Sequence, residues 1–434
     1  MLFRPLAKGG RILFQRLHKQ IKRPVRIDAA VSVIRQRLIQ QIPVLPVDAK
    51  IGDLSRTPGD HMLDKAGRAH VAQRASRAAD RGEMCIRDSV IADNCTDRTA
   101  ECAAAGGAYV IRRFNRTQVG KGYALDYAFH QIDSRKGLNY YDAFLVFDAD
   151  NVLDNGYFAA MNRTFSEGYE IVTSYRNSKN YGTNWITAGY ALWFLRESRF
   201  LNGARMKCGT SCAISGTGFL VSSRMIRQDG GWKYNLLTED IEFSTDHIIR
   251  GHKIGYCKDA ILYDEQPVTF RASWNQRLRW TKGFYQVFAA YGGRLLRGIF
   301  RKHSFQCYDM LMVIAPATLL TLTSLLANIL FVVLGLSISN PLVIRAAARA
   351  FGGCLLSIYL SLFAFGAVTL IAEQKRIYCS RAKQILYLFT FPVFIFTYIP
   401  MAVVALRKNV TWKQIPHTIL CTADQICSQA GRRK

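Results

Sequence analysis

Two aspartates one residue apart, Asp148 and Asp150, close the apolar run Phe144-Leu145-Val146-Phe147. An unbroken apolar run of this length fits a strand buried on both faces. Alternation along a strand then points both carboxylates the same way at its C-terminal edge, where open α/β sheets bind ligands. Two hard carboxylate oxygens, with polar Asn151 next in the chain, suit Mg2+ or Mn2+ carried by a diphosphate. The tripeptide alone is common and is more often a solvated turn, so the surrounding chain has to decide. Downstream, Thr238-Glu239-Asp240 brings a second pair of carboxylates. That pattern also suits the N-terminus of a helix, with Thr before acids. Gln276, Arg279 and Trp280 follow at spacings i, i+3 and i+4, one face of a helix predicted from Trp274 to Phe288.

The elements before Asp148 have the order an α/β sheet requires. Val90-Ile91-Ala92-Asp93-Asn94 reads as a short strand, and Thr96–Ala105 as a helix capped by Thr96 or Asp97. Tyr109-Val110-Ile111 is a further strand, and a polar loop from Asn115 ends in Gly120-Lys121-Gly122 before a helix over Tyr123–Ile132. This βαβ alternation argues a parallel sheet. A Gly-Lys-Gly loop at a helix start can approach phosphate, but it lacks the Walker spacing, which disfavours ATPase chemistry.

Composition narrows the class. The net charge of +27 points to nucleic acid or an anionic membrane surface. Half of the residues are apolar, 12% are aromatic, and the last third holds long uncharged stretches, which favours membrane over nucleic acid. The eleven cysteines are scattered, which argues for reduced thiols rather than a zinc site.

Val90–Ala100, Gly120–Ala128, Asp148–Asp150, Ser215–Gly218, Thr238–Asp240 and Gln276–Trp280 occur in the order found in the membrane-integrated branch of glycosyltransferase family 2, which the chain resembles from about Val90 onward. That branch includes cellulose, chitin, hyaluronan and poly-N-acetylglucosamine synthases. The resemblance implies a GT-A-type α/β domain with a mostly parallel sheet, followed by a transmembrane or interfacial helical region. It also implies roles. Asp93 contacts uracil, Lys121 the nucleotide, Asp148 the nucleotide and metal, and Asp150 the metal. Gly216, Thr217 and Gly218 form the acceptor-side loop, and Asp240 is the catalytic base, with Glu239 beside it as the rival. Displacement of UDP from an anomeric carbon needs such a base and cations at the leaving diphosphate, and it inverts the anomeric centre. Arg279 offers a planar fork to the diphosphate, Gln276 a neutral contact, and Trp280 a face for an acceptor sugar ring.

The expected boundaries are a catalytic domain over 90–300 with an interfacial helix at 274–302, a membrane region over 308–406 and a basic tail over 407–434. Met310–Leu336, Phe351–Ala372 and Ile385–Leu406 are each long and apolar enough to span. Pro392 and Pro400 favour a broken, interfacial or re-entrant last segment that leaves the tail beside the catalytic domain, the alternative being an ordinary third span with the tail outside. The basic turn between the second and third places that side in the cytoplasm. Residues 1–89 read differently from the rest. Arg11–Arg23 is a basic amphipathic stretch, and Asp48–Ser89 is polar, rich in Arg and Ala and without period, so the segment is expected to stand outside the catalytic fold as disordered chain or as a stretch foreign to the family. Val31–Ile34 echoes the family's opening strand, but the Asn-Glu turn and N-terminal membrane helix of the family are missing. The expected activity is a metal-dependent, inverting, UDP-sugar-using transferase of the cell membrane that adds GlcNAc or Glc to a growing polysaccharide. Its partners would be membrane lipids and accessory secretion subunits, and no nucleic acid. The alternatives are non-processive transfer to a lipid acceptor and an inactive membrane scaffold.

Overall fold

The computed structural model describes residues 26–30, 85–301, 304–315, 317–338, 341–412, 419 and 421–428. Its centre is an eight-stranded sheet in the order β3-β2-β1-β4-β7-β6-β8-β5. The strands are β1 (Arg26–Ala30), β2 (Cys85–Asp93), β3 (Tyr109–Arg113), β4 (Ala143–Val146), β5 (Val152–Leu153), β6 (Ile171–Ser178), β7 (Phe219–Ser222) and β8 (Ile254–Asp264). Only β5 and β7 run against the others, so the sheet is mostly parallel as expected. Ala143 to Val146 are fully buried, which accounts for the unbroken apolar run.

The beginning of the domain needs correction. Arg26–Ala30, expected to lie outside the fold, is a central strand that pairs in parallel with β2 on one side and β4 on the other. β2 starts at Cys85 rather than Val90. Without β1, the facing backbone groups of β2 and β4 would lack partners. The strand escaped notice because its five residues, Arg-Ile-Asp-Ala-Ala, contain one large apolar side chain and so carry no apolar run. Arg11–Arg23 and Val31–Ile34 lie outside the described residues.

Helices cover the sheet and then leave it. They are α1 (Thr99–Ala105), α2 (Lys121–Lys136), α3 (Tyr157–Ser166), α4 (Trp185–Arg196), α5 (Glu239–Ile249) and the long α6 (Phe270–Ile299). Asp97 Oδ1 accepts the Thr99 N–H at 3.0 Å at the start of α1. Beyond α6 come α7 (Ser304–Ile314), α8 (Ala317–Ser337), α9 (Pro341–Glu373), α10 (Arg381–Phe396), α11 (Tyr398–Arg407) and α12 (Ala423–Ser428). The single helix expected over 310–336 is instead two, α7 and α8. The sequence has a proline at 316, which removes an N–H and disfavours helix at the residue before it. The helices over Pro341–Arg376 and Arg381–Arg407 are long and apolar enough to cross a membrane.

The second of these is broken at Thr397 and lies under the catalytic domain. α10 packs on α4, and α11 on α6. Arg277 Nη1 donates to the Phe394 carbonyl at 3.0 Å and to Thr397 Oγ1 at 2.7 Å, serving the groups that the break leaves without helical partners. Lys282 Nζ donates to the Ala405 carbonyl at 3.0 Å. α9 is tied to the sheet where Tyr175 donates to Glu373 at 2.7 Å. After α11 the described tail returns to the catalytic domain. Ala423 and Ile426 pack on Val152 and Tyr263, and the Ile419 N–H donates to Glu265 at 3.1 Å.

Gly189 marks how closely α4 and α10 approach, because a Cβ there would stand 2.4 Å from the buried Phe394 ring. Gly189→Ala is therefore expected to cost about 1–3 kcal/mol through overpacking, read as a lowered unfolding midpoint of the whole chain in detergent. An unchanged midpoint would contradict this packing.

Candidate active site

The site lies at the C-terminal edge of the sheet. Asp148 and Asp150 follow β4, as expected, on a turn pinned from below. The Asp148 N–H donates to Thr217 Oγ1 at 2.9 Å, and the Thr217 hydroxyl donates to Asn151 Oδ1. Thr217 is only 2% exposed, so its side chain supports the turn and does not face the cleft. Gly218 beside it has φ 66°, and a Cβ there would stand 1.9 Å from Leu262, so only glycine fits. Lys121 starts α2 and bridges two of these pieces. Its ammonium donates to an Asp148 oxygen and, at 2.6 Å, to the Gly216 carbonyl.

Carboxylates crowd this edge. Burial, then the charges of Asp264 and Asp148, push the Asp150 carboxyl well above the usual range. Asp150 Oδ2 accepts the Glu265 N–H at 3.2 Å. Burial would push Asp264 up as well, but the Arg176 guanidinium holds it below the usual range. Arg176 donates through Nε at 2.9 Å and through Nη2 to Asp264 Oδ2, and through Nη1 to the Ser215 carbonyl at 2.9 Å. Its plane lies 3.7 Å from the Phe194 ring centroid. For Lys121, burial would lower the pKa, but the charges of Asp148 and Glu239 outweigh it and raise it.

Glu239 and Asp240 open α5. A Cβ on Gly216 would meet Asp240 Oδ2 at 3.7 Å, which sets Asp240 against the loop that Lys121 grips. Burial and then the Asp240 charge push Glu239 up to about 7, and burial raises Asp240. Thr238 precedes α5 without capping it. Its buried hydroxyl has no hydrogen-bond partner among the described residues, so the capping interpretation of this triplet fails.

On α6, Trp280 packs edge-on against Tyr190 at 5.7 Å and Phe194 at 6.1 Å. Arg279 Nη1 reaches the Leu237 carbonyl at 3.5 Å, just before Glu239. Gln276 Oε1 is buried and has no partner among the described residues. Asp93 ends β2, with one oxygen held by Arg113 Nη1 at 2.7 Å. The structure thus gathers Lys121, Asp148, Gly216 and Asp240 through direct approach. Glu239 and Arg279 adjoin them, and Asp93 is engaged by Arg113 on the same sheet edge.

Several residues here escaped sequence reasoning. Asp264 ends β8 after an apolar lead of Ile261-Leu262-Tyr263, the same signal that flagged Asp148, so it was legible. Arg176, Arg113 and Glu197 carried no motif. Glu197 opens a π-helical turn, Glu197–Asn202, and burial raises its carboxyl against the pull of Ser215 and Arg176.

The donor set fits a divalent cation. Asp148 and Asp150 are hard oxygen ligands, and the crowding that raises Asp150 is what a cation relieves. Among the described residues no group of three or more His, Cys, Asp or Glu is arranged to hold a metal. Two carboxylates would leave the remaining positions to a diphosphate and water.

Arg176 and Asp264 form a pair whose side chains are 12% and 6% exposed. Arg176→Met is expected to lower unfolding stability by about 3–5 kcal/mol, because it strands a buried charge, and Asp264→Asn in the same chain is expected to restore part of it. Denaturant unfolding of the two variants and the unaltered protein checks both, and equal stability of Arg176→Met and the unaltered protein would contradict the pairing.

Residues 86–283 match the family described as glycosyltransferase like family 2. The probable glycosyltransferase YdaM of Bacillus subtilis is 25% identical over 202 residues, 45% of this chain and 46% of the relative. A poly-β-1,6-N-acetyl-D-glucosamine synthase of Staphylococcus aureus is 27% identical over 212 residues, 46% of this chain and 47% of the relative. The chain therefore spans about half the length of the curated relatives it matches. A solved mannosyltransferase from Pyrobaculum calidifontis, in complex with GDP-Man and Mn2+, covers 92% of this chain and 95% of its own at 14% identity and a TM-score of 0.42. With its motifs in the family's order on a mostly parallel α/β sheet, the segment 86–283 is similar to glycosyltransferase family 2 in sequence.

Proposed function

We propose that the chain is an inverting, metal-dependent transferase that moves N-acetylglucosamine or glucose from a UDP-sugar to a growing polysaccharide at the cytoplasmic face of the cell membrane. The observation that carries this reading is the approach of Asp240 to the Gly216 loop that Lys121 ties to Asp148. In this reading Asp240 is the base, and the groups that Lys121 ties together bind the diphosphate. A S. aureus relative is a poly-N-acetylglucosamine synthase, which favours that donor and a polymeric acceptor.

In this reading Asp240 takes the proton of the acceptor hydroxyl, which attacks the anomeric carbon on the face opposite the departing UDP. Lys121 and Arg279 offset the charge that develops on the diphosphate. Mg2+ or Mn2+ at Asp148 and Asp150 would neutralise the same leaving group. Asp93, oriented by Arg113, has an oxygen left for the uracil N–H. Gln276 would offer a neutral contact from the face of α6 that carries Arg279, and Trp280 would give the acceptor ring an apolar face. Gly216 would let the acceptor come close, while Gly218 packs on Leu262 and Thr217 acts through the Asp148 turn it supports. The contacts of Ile419 with Glu265, and of Ala423 and Ile426 with Val152 and Tyr263, lie on the side of the catalytic domain, which favours a broken membrane segment over a third full crossing.

Membranes carrying the chain, offered a panel of labelled UDP-sugars, are expected to make polymer from UDP-GlcNAc or UDP-Glc with the donor's α configuration turned to β. Asp240→Asn should lower turnover by about 10²–10⁴ with UDP binding little changed. Burial raises both carboxyls of the Glu239–Asp240 pair, so transfer should climb with pH as the Asp240 base ionises above the ordinary carboxylate range, while stability falls as pH rises from that range to about 7, the value to which Glu239 is raised, since the folded state disfavours the ionised forms. Wild-type turnover in Asp240→Asn would overturn the assignment.

A further inference from the structure

A cavity of about 680 Å³ lies where three parts of the chain meet. Lys179 and Asn180 reach it from the end of β6, Tyr378, Ser380 and Lys383 from the turn into α10, and Gln425 from the tail. No transfer role described above uses these side chains.

We propose that this cavity binds a phosphate-bearing anion. Lys179 is 7% exposed and makes no hydrogen bond through its ammonium among the described residues. Its nearest carboxylate, Glu265, stands at 4.0 Å and also accepts the Ile419 N–H. A buried ammonium held this loosely is costly unless an anion completes its shell. Lys383 lies at the exposed rim, where it donates to the Gly182 carbonyl at 2.9 Å. Ser380 precedes α10 without a capping bond, so the first N–H groups of a 16-residue helix add to the positive potential. No Asp or Glu is among the described lining residues. The chamber is too large for a bare halide and suits a phosphate with a group attached.

The turn over 374–381 joins the two helices long enough to span and carries Lys375, Arg376 and Arg381. That places the cavity where a basic pocket meets phospholipid headgroups. A soluble phosphate ester has the same chemistry. The cavity adjoins the transferase edge, where the Lys179 charge also acts on Asp150, but the transferase reading gives no role to Lys383, and the cysteine readout does not depend on transfer.

The Cys379 thiol lines the cavity and reports its occupancy, with exposed Cys208 as the internal reference. The full chain in zwitterionic nanodiscs is titrated with inorganic pyrophosphate, and in a second arm placed in nanodiscs containing phosphatidylglycerol, with alkylation of each cysteine followed by peptide mass spectrometry. In at least one arm Cys379 should react about tenfold more slowly at an anion level near ten times its Kd, with Cys208 unchanged. Slowing only with phosphatidylglycerol identifies a headgroup, and slowing with pyrophosphate a soluble phosphate. Lys383→Gln, at the rim where folding is safe, should shift the midpoint to higher anion, and Lys179→Gln with Lys383→Gln should remove the effect. An unchanged Cys379 rate in both arms, or an undiminished effect in Lys383→Gln, overturns the proposal.

Discussion

The ammonium of Lys121, donating at once to Asp148 and to the Gly216 carbonyl, joins the start of α2 to a turn and a loop that Thr217 and the pairing of β4 with β7 already hold together. The first helix turn of α2, the turn after β4 and the loop before β7 meet there, and Asp240 stands against that loop. The arrangement depends on charge balance. Asp148, Asp150, Asp264, Glu239 and Asp240 gather at one sheet edge, and the half-buried Lys121 and Arg176 face them, with the buried Lys179 also acting on Asp150. Removing either cation leaves carboxylates without the partner that offsets their desolvation. The elevated Asp150 shows that the balance is incomplete in the protein alone. A site of this kind is poised for a further cation.

The same edge is connected to the helices beyond the catalytic domain by alternating cations and aromatic rings. Arg176 holds Asp264 and lies over Phe194, which meets Trp280. Trp280 meets Tyr190, and Arg277 lies 5.8 Å from the Tyr190 centroid, 4.1 Å from that of Phe394 and 5.0 Å from that of Tyr398. Arg277 is fully buried, and it binds the carbonyl and hydroxyl at the break between α10 and α11. A broken helix under an apolar surface needs such a donor. The guanidinium therefore binds the Phe394 carbonyl and the Thr397 hydroxyl at the junction of the two helices, and it ties to that junction the helix that carries Gln276, Arg279 and Trp280.

Much of this was legible because the residues sit on patterned elements. The apolar run before Asp148, the βαβ order, the shared face of Gln276, Arg279 and Trp280, and the break near Pro392 and Pro400 all follow from period and from the backbone chemistry of proline. β1 was not, because a central strand of five residues is specified by its neighbours' unpaired backbone more than by its own side chains. Arg176 and Arg277 were missed for a related reason. Each acts through partners distant in sequence, Asp264 and Phe394, and no local spacing announces such a contact. Thr217 shows the opposite failure. Its place in a loop of small residues marked it for the cleft, yet its hydroxyl is turned under the Asp148 turn.

The charge balance at Asp148 and Asp150 is tested most directly by calorimetric titration of UDP into the full chain in detergent, with Mn2+ and with EDTA, and again on Asp150→Asn. The account predicts that removing Mn2+ weakens UDP by about 10–100-fold, that Asp150→Asn alone weakens it comparably, and that Mn2+ no longer helps that variant. Equal UDP affinity in Mn2+ and EDTA, with Asp150→Asn indistinguishable from the unaltered chain, would contradict it.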